Sequence, residues 1–73
     1  MALTFRAFIN EAPAKHTPQG DFIAWAKDDA ELSGASSWPE LRDQLKASRA
    51  GRPAIKAALD VWKAYEVARD RHA

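Results

Sequence analysis

Apolar side chains recur along this chain in steps of three and four residues, with no useful stretch of strand-like alternation, and that spacing predicts amphipathic helices throughout. The first expected helix covers 4–12. Thr4 supplies its cap, Phe5, Phe8, Ile9 and Ala12 share one face, and Pro13 ends it. A short polar connector, 14–16, leads to a second helix over 18–30, which has the clearest start in the chain. Thr17 caps it, Pro18 takes the first position, where a missing N–H costs nothing, and Asp21 faces the positive end of the helix dipole. Phe22, Trp25 and Ala26 continue its apolar face towards Asp29 or Ala30.

Gly20 breaks the propensity rule, because glycine in a helical turn costs up to about 1 kcal/mol relative to alanine. A neighbouring ring or backbone that leaves no room for a Cβ explains it; a tolerated glycine in a frayed first turn is the bland alternative. Residues 31–36 are rich in small and turn-forming types and read as a loop, with Leu32 tucked into the core. A third helix follows over 38–49. Ser37 with Glu40 three residues on has the form of a reciprocal capping box, Pro39 lies in the first turn, and Trp38, Leu41 and Leu45 make a stripe that fades at Ser48. Beyond the corner at 50–52, Pro53 opens the last and longest helix, 53–71. Ile55, Ala58, Leu59, Trp62 and Tyr65 form its stripe, and Arg69, Arg71 and His72 lie near its negative C-terminal end. The expected architecture is a single, compact, all-α domain of four helices.

Length sharpens this picture. A domain of 73 residues buries only about 60% of the surface its unfolded chain exposes, so its core must come from a few large side chains. Three Trp, three Phe and one Tyr provide them. The absence of cysteine rules out disulfides and thiolate catalysis. Residues 1–9 are apolar but have neither a basic leader nor a cleavage pattern, and no apolar run approaches the roughly 20 residues that span a bilayer, so the expected setting is the cytoplasm, without a membrane partner.

The net charge of +1 conceals a split. Residues 21–43 hold six acids against two bases, a net −4, whereas 44–73 hold seven bases against three acids, a net +4. Such an electric dipole can orient a partner or a second copy.

Candidate chemistry is sparse. His16 would need an orienting carboxylate and a pocket to act as a base, and an exposed loop histidine is the simpler account; His72 reads as a dipole-compensating terminal residue. Asp28, Asp29 and Glu31 are oxygen donors, but they lack the alternating spacing and glycine of a calcium loop. No metal or cofactor is expected. As acids at a helix C-terminus they oppose the dipole, which marks them as an acidic docking surface. Trp25, Trp38, Trp62 and Tyr65 would suit base stacking, yet each falls on an apolar stripe. Trp25 and Trp62 are therefore assigned to the core, and Trp38, at a helix start, to partial exposure. Lys46, Arg49, Arg52 and Lys56 gather at the corner between the third and fourth helices, with no acid until Asp60. A helix, a turn with Gly51 and a second helix superficially suit a helix-turn-helix, although the last helix opens without the Asn, Gln and Arg set that reads bases.

Phe5 and Phe8, the segment Thr17-Pro18-Gln19-Gly20-Asp21-Phe22, the spacing to Ser37-Trp38-Pro39-Glu40-Leu41, Leu45, and the closing Ala58-Leu59-Asp60-Val61-Trp62-Lys63-Ala64-Tyr65 together resemble the YozE-like family. The resemblance runs from Phe5 to Tyr65 and is most specific at the Pro-x-Gly-Asp start and the Trp-x-x-Tyr end. It implies a small bacterial or phage-borne protein with a four-helix fold similar to sterile alpha motif domains; it carries no catalytic or ligand residues. The expected function is a non-enzymatic interaction module that binds a protein or itself, its acidic surface meeting the basic corner of another copy head to tail. Nucleic-acid contact through the basic corner is the alternative, and the phage-borne distribution of similar proteins adds a third, inhibition of a host protein. No small-molecule substrate is expected.

Overall fold

Four helix starts in the sequence carry a Ser, Thr or Asp whose side chain can replace the hydrogen bonds that a first turn lacks, and the computed structural model, which describes residues 3–72, uses all four. α1 (Phe5–Glu11) is capped by Thr4, whose hydroxyl accepts from the Ala7 N–H at 3.1 Å. Thr17 does the same for α2 (Pro18–Asp28) through Gly20 N–H at 3.0 Å. α3 (Ala30–Ser33) is a single turn in which Asp29 Oδ1 accepts from Glu31 N–H and Leu32 N–H. Ser37 caps α4 (Trp38–Ala47), and α5 (Arg52–His72) closes the domain. Among the described residues all regular structure is helical.

The helices number five where four were expected. The stretch read as the loop 31–36 contains α3, because Asp29 ends α2 and caps the next turn with one side chain, while Leu32 is 1% exposed and anchors that turn. The capping box of α4 is only half formed: Ser37 Oγ accepts from Glu40 N–H at 3.3 Å, but the Glu40 carboxylate takes the hydroxyl of Ser36 at 2.8 Å instead of reaching back to Ser37.

The core sits between α5 and the shorter helices. Phe5, Ile9, Phe22, Ile23, Ala26, Leu32, Leu41 and Leu45 bury against Ala57, Ala58, Val61, Trp62 and Tyr65. At one end the rings of Phe5, Trp62 and Tyr65 meet with centroids 4.8–5.3 Å apart in tilted or edge-on geometries, Phe8 adds a fourth ring at 5.7 Å from Tyr65, and Tyr65 Oη donates to the Leu3 carbonyl at 2.8 Å. The stripe on α5 is rotated from the one expected. Ala57 and Val61 face the core, Ile55 is only half-buried, and Leu59, taken as core, is half-exposed and stands outside the cluster. The bulkier side chains give way here because α2 runs close to α5, and close helix approach favours small residues at the contact.

Gly20 is explained by contact with backbone. The connector 14–16 folds over the first turn of α2, and a Cβ on Gly20 would run into the Lys15 carbonyl and lie 2.6 Å from the Lys15 amide nitrogen. Gly20→Ala is therefore expected to destabilise by about 1–3 kcal/mol, as overpacking does, although alanine is the better helix former by about 1 kcal/mol. Urea unfolding checks the sign; a stabilised variant would show that the connector yields freely.

Candidate functional site

Alongside the core, α2 and α5 leave an open groove of about 280 Å³, with Pro18, Asp21, Phe22 and Trp25 on one wall and Pro53, Ala54 and Ala57 on the other. Trp25, assigned to the core from its spacing, packs against the core cluster as a half-buried side chain and also lines this groove. Asp21, Trp25 and Asp28 stand at i, i+4 and i+7 and so form one row along the outer edge of α2; both aspartates are exposed. On α5, Arg52 precedes Pro53 and Lys56 follows it by three residues; both are exposed and stand outside the groove lining, near its Pro53 end. Gln19 Nε2 donates to Asp60 Oδ2 at 3.1 Å and ties the start of α2 to the middle of α5. The groove thus has an aromatic floor with Asp21 in its wall, and the exposed Asp28, Arg52 and Lys56 lie outside the lining on the two helices that bound it.

The basic corner is built on an unusual helix end. Ala50 N–H bonds to the Leu45 carbonyl at 2.9 Å and Arg49 N–H to Lys46 at 3.0 Å, the paired bonds of a Schellman motif. The position that this motif drives into the left-handed region falls on Arg49, with φ 59°, and not on Gly51, where φ is not positive. Gly51 instead offers its carbonyl to Ile55 N–H at 3.1 Å, so α5 opens with no side-chain cap from that position and with Arg52 in its first turn, where the dipole disfavours a cation. Lys46, Arg49, Arg52 and Lys56 are all exposed, and among the described residues none is in an ion pair. The corner therefore presents four cations to solvent, two of them held against a local preference of the backbone.

The expected acidic surface of Asp28, Asp29 and Glu31 divides. Asp28 and Glu31 are exposed, whereas Asp29 is half-buried, its carboxylate engaged by two backbone N–H groups, and it acts as a cap. Asp21 takes its place beside Asp28. That exchange was available to sequence reasoning, since an acid four residues before and another three after an outward-facing Trp mark one helical row.

The other candidates serve structure or stand alone. Trp62 and Tyr65 are buried, Trp38 is half-buried at the start of α4 as expected, and His16 is exposed in the connector. His72 ends α5, and its side chain lies outside the described residues. Among the described residues, no three His, Asp or Glu side chains converge on a metal position, and no helix is long and apolar enough to cross a membrane.

Two substitutions test these assignments. Asp29→Ala is expected to cost about 1 kcal/mol through loss of the cap, and Asp28→Ala to stay within about 0.5 kcal/mol of the parent; equal losses would return both to one surface. Arg49→Gly should gain about 1 kcal/mol by relieving the left-handed residue, seen as a rise of roughly 4–8 °C in Tm. No family model, curated protein or solved structure matches the chain.

Proposed function

We propose that the chain is a small non-enzymatic interaction module that self-associates, two copies meeting across the α2–α5 groove with the acidic edge of each against the basic edge of the other. The observation that carries this reading is a half-buried Trp25 between Asp21 and Asp28 on one side and Pro53 with its neighbours Arg52 and Lys56 on the other. Half-buried Trp residues are the side chains that most often anchor interfaces. Opposite charges on the two edges of one groove are self-complementary under two-fold rotation, so the isologous contact takes precedence over the head-to-tail one that the charge split alone favours. Four short helices seated on a long C-terminal one also support a sterile-alpha-motif-like arrangement, and with it the YozE-like kinship, as our assignment. The cysteine-free composition agrees with the cytoplasmic setting we assign.

Sedimentation at about 20 mM and about 500 mM salt tests the association, because exposed charge pairs weaken as the screening length shortens. Dimer is expected at low salt and monomer at high salt. Arg52→Glu with Lys56→Glu, and separately Asp28→Lys, should each abolish the homodimer, and mixing the two variants should restore a heterodimer. Both changes agree with the helix dipole, so the fold survives them. A strict monomer at about 1 mM protein in low salt, or variants that fail to pair on mixing, ends the proposal.

The four exposed cations of the corner favour one further reading, nucleic-acid binding. Phosphate contacts would give an affinity that falls steeply with salt. Lys46→Ala with Arg49→Ala separates the two readings: it removes cations from the corner but leaves both edges of the groove. Loss of a gel shift with the dimer intact supports the nucleic-acid reading, and no shift of the parent chain at low salt removes it.

A further inference from the structure

A second and larger groove, about 530 Å³, lies across the ring cluster, bounded by the start of α1, residues 33–36 and the later turns of α5. Its volume falls within the range of small-ligand and short-peptide sites. Phe5 and Tyr65 give it an apolar floor, and the only ionisable side chains on its walls besides the Tyr65 phenol are two cations, Arg6 and Arg69. Arg69 is placed by the fold: its guanidinium stands 5.4 Å from the centroid of the Tyr65 ring and 3.7 Å from Glu66, a separation beyond hydrogen bonding. Arg6 is exposed, and among the described residues it has no ion pair. One of its terminal nitrogens comes within 3.2 Å of where a Cβ on Gly34 would sit, so the glycine gives the guanidinium room to lie against the 33–36 wall.

That wall is irregular backbone with groups left over. Among the described residues, the Ser36 N–H and the carbonyls of Gly34, Ala35 and Ser36 have no hydrogen-bond partner within the protein. Unpaired main-chain groups beside an apolar floor suit the main chain of a peptide, and arginine suits carboxylates, which it binds through paired N–H donors. We propose that this groove binds a short acidic peptide segment of a partner protein, with an apolar residue on the Phe5–Tyr65 floor and carboxylates at Arg6 and Arg69. This site is separate from the α2–α5 groove and does not depend on self-association.

The test is an amide-shift titration of the full 15N-labelled chain with the capped tripeptide acetyl-Glu-Phe-Glu-amide, with its Gln-Phe-Gln counterpart, and with sodium glutarate. Shifts centred on the start of α1, residues 33–36 and the turn of α5 from Tyr65 to Arg69, an affinity about tenfold weaker for the uncharged peptide, and weaker binding still for glutarate are expected from charge-assisted contacts. Arg6→Gln and Arg69→Gln should each weaken the acidic peptide at least about threefold while leaving the Gln peptide unchanged. Arg6 is exposed, so its substitution keeps the fold even if that of Arg69 disturbs the ring beneath it. Equal affinities for the two peptides, tighter binding of glutarate, shifts centred elsewhere, or no saturable shift at millimolar peptide would overturn the proposal.

Discussion

The chain is closed on itself by one contact, the packing of Phe5 near its beginning against Trp62 and Tyr65 near its end. Edge-on and tilted ring pairs contribute about 0.5–1.5 kcal/mol each beyond the area they bury. In a domain with so little interior that is a large share of the net stability, which for any small protein is only a few kcal/mol. The Tyr65 hydroxyl adds direction to the contact, since its bond to the Leu3 carbonyl holds the segment leading into α1 against α5. Once both ends of the chain are joined there, the middle helices fill the space between them, α2 with Phe22, Ile23 and Ala26, α3 with Leu32, and α4 with Leu41 and Leu45.

Helix starts were legible in the sequence because a cap acts locally: Thr4, Thr17 and Ser37 each serve an N–H three residues away, and no tertiary partner is needed. The register of the apolar stripes was less legible, because it depends on how near the neighbouring helix comes. On α5 the expected Ala58, Trp62 and Tyr65 are buried and Ile55 packs beside them, but spacing alone does not choose between Leu59 and the pair Ala57 and Val61, and size favours Leu59. The close passage of α2 selects the alanines. Trp25 joins the core only in part: its ring packs against the cluster while Ile23, two residues earlier, is the more fully buried. α3 escaped notice because a single turn has no periodicity to detect; its only trace is Asp29, which looks like surface charge until its two backbone donors are seen.

The same geometry decides which charges are available to a partner. A formal count gives Asp29 and Asp28 equal weight, yet one carboxylate already satisfies helix donors and the other faces solvent. The arginines are likewise unequal. Arg69 stacks over Tyr65 beside Glu66, whereas Arg49 sits in a backbone region that glycine would occupy at lower cost. The Schellman bonds that end α4 hold Arg49 there, so its exposure follows from the helix end that it closes.

A domain this small cannot enclose a deep pocket without breaking its core, so recognition has to use the seams where helices diverge. Two of the open seams differ in their chemistry. The one between α2 and α5 offers a half-buried indole and Asp21, with the exposed Arg52 and Lys56 nearby, which favours a surface like itself. The one across the ring cluster offers cations, apolar floor and unpaired main chain, which favours a segment that brings carboxylates and its own backbone donors. The second seam is floored by the rings that join the two ends of the chain, so a ligand there rests on packed, buried side chains. Binding on such a floor requires little rearrangement, and what must be ordered is the ligand and the two arginine side chains above it.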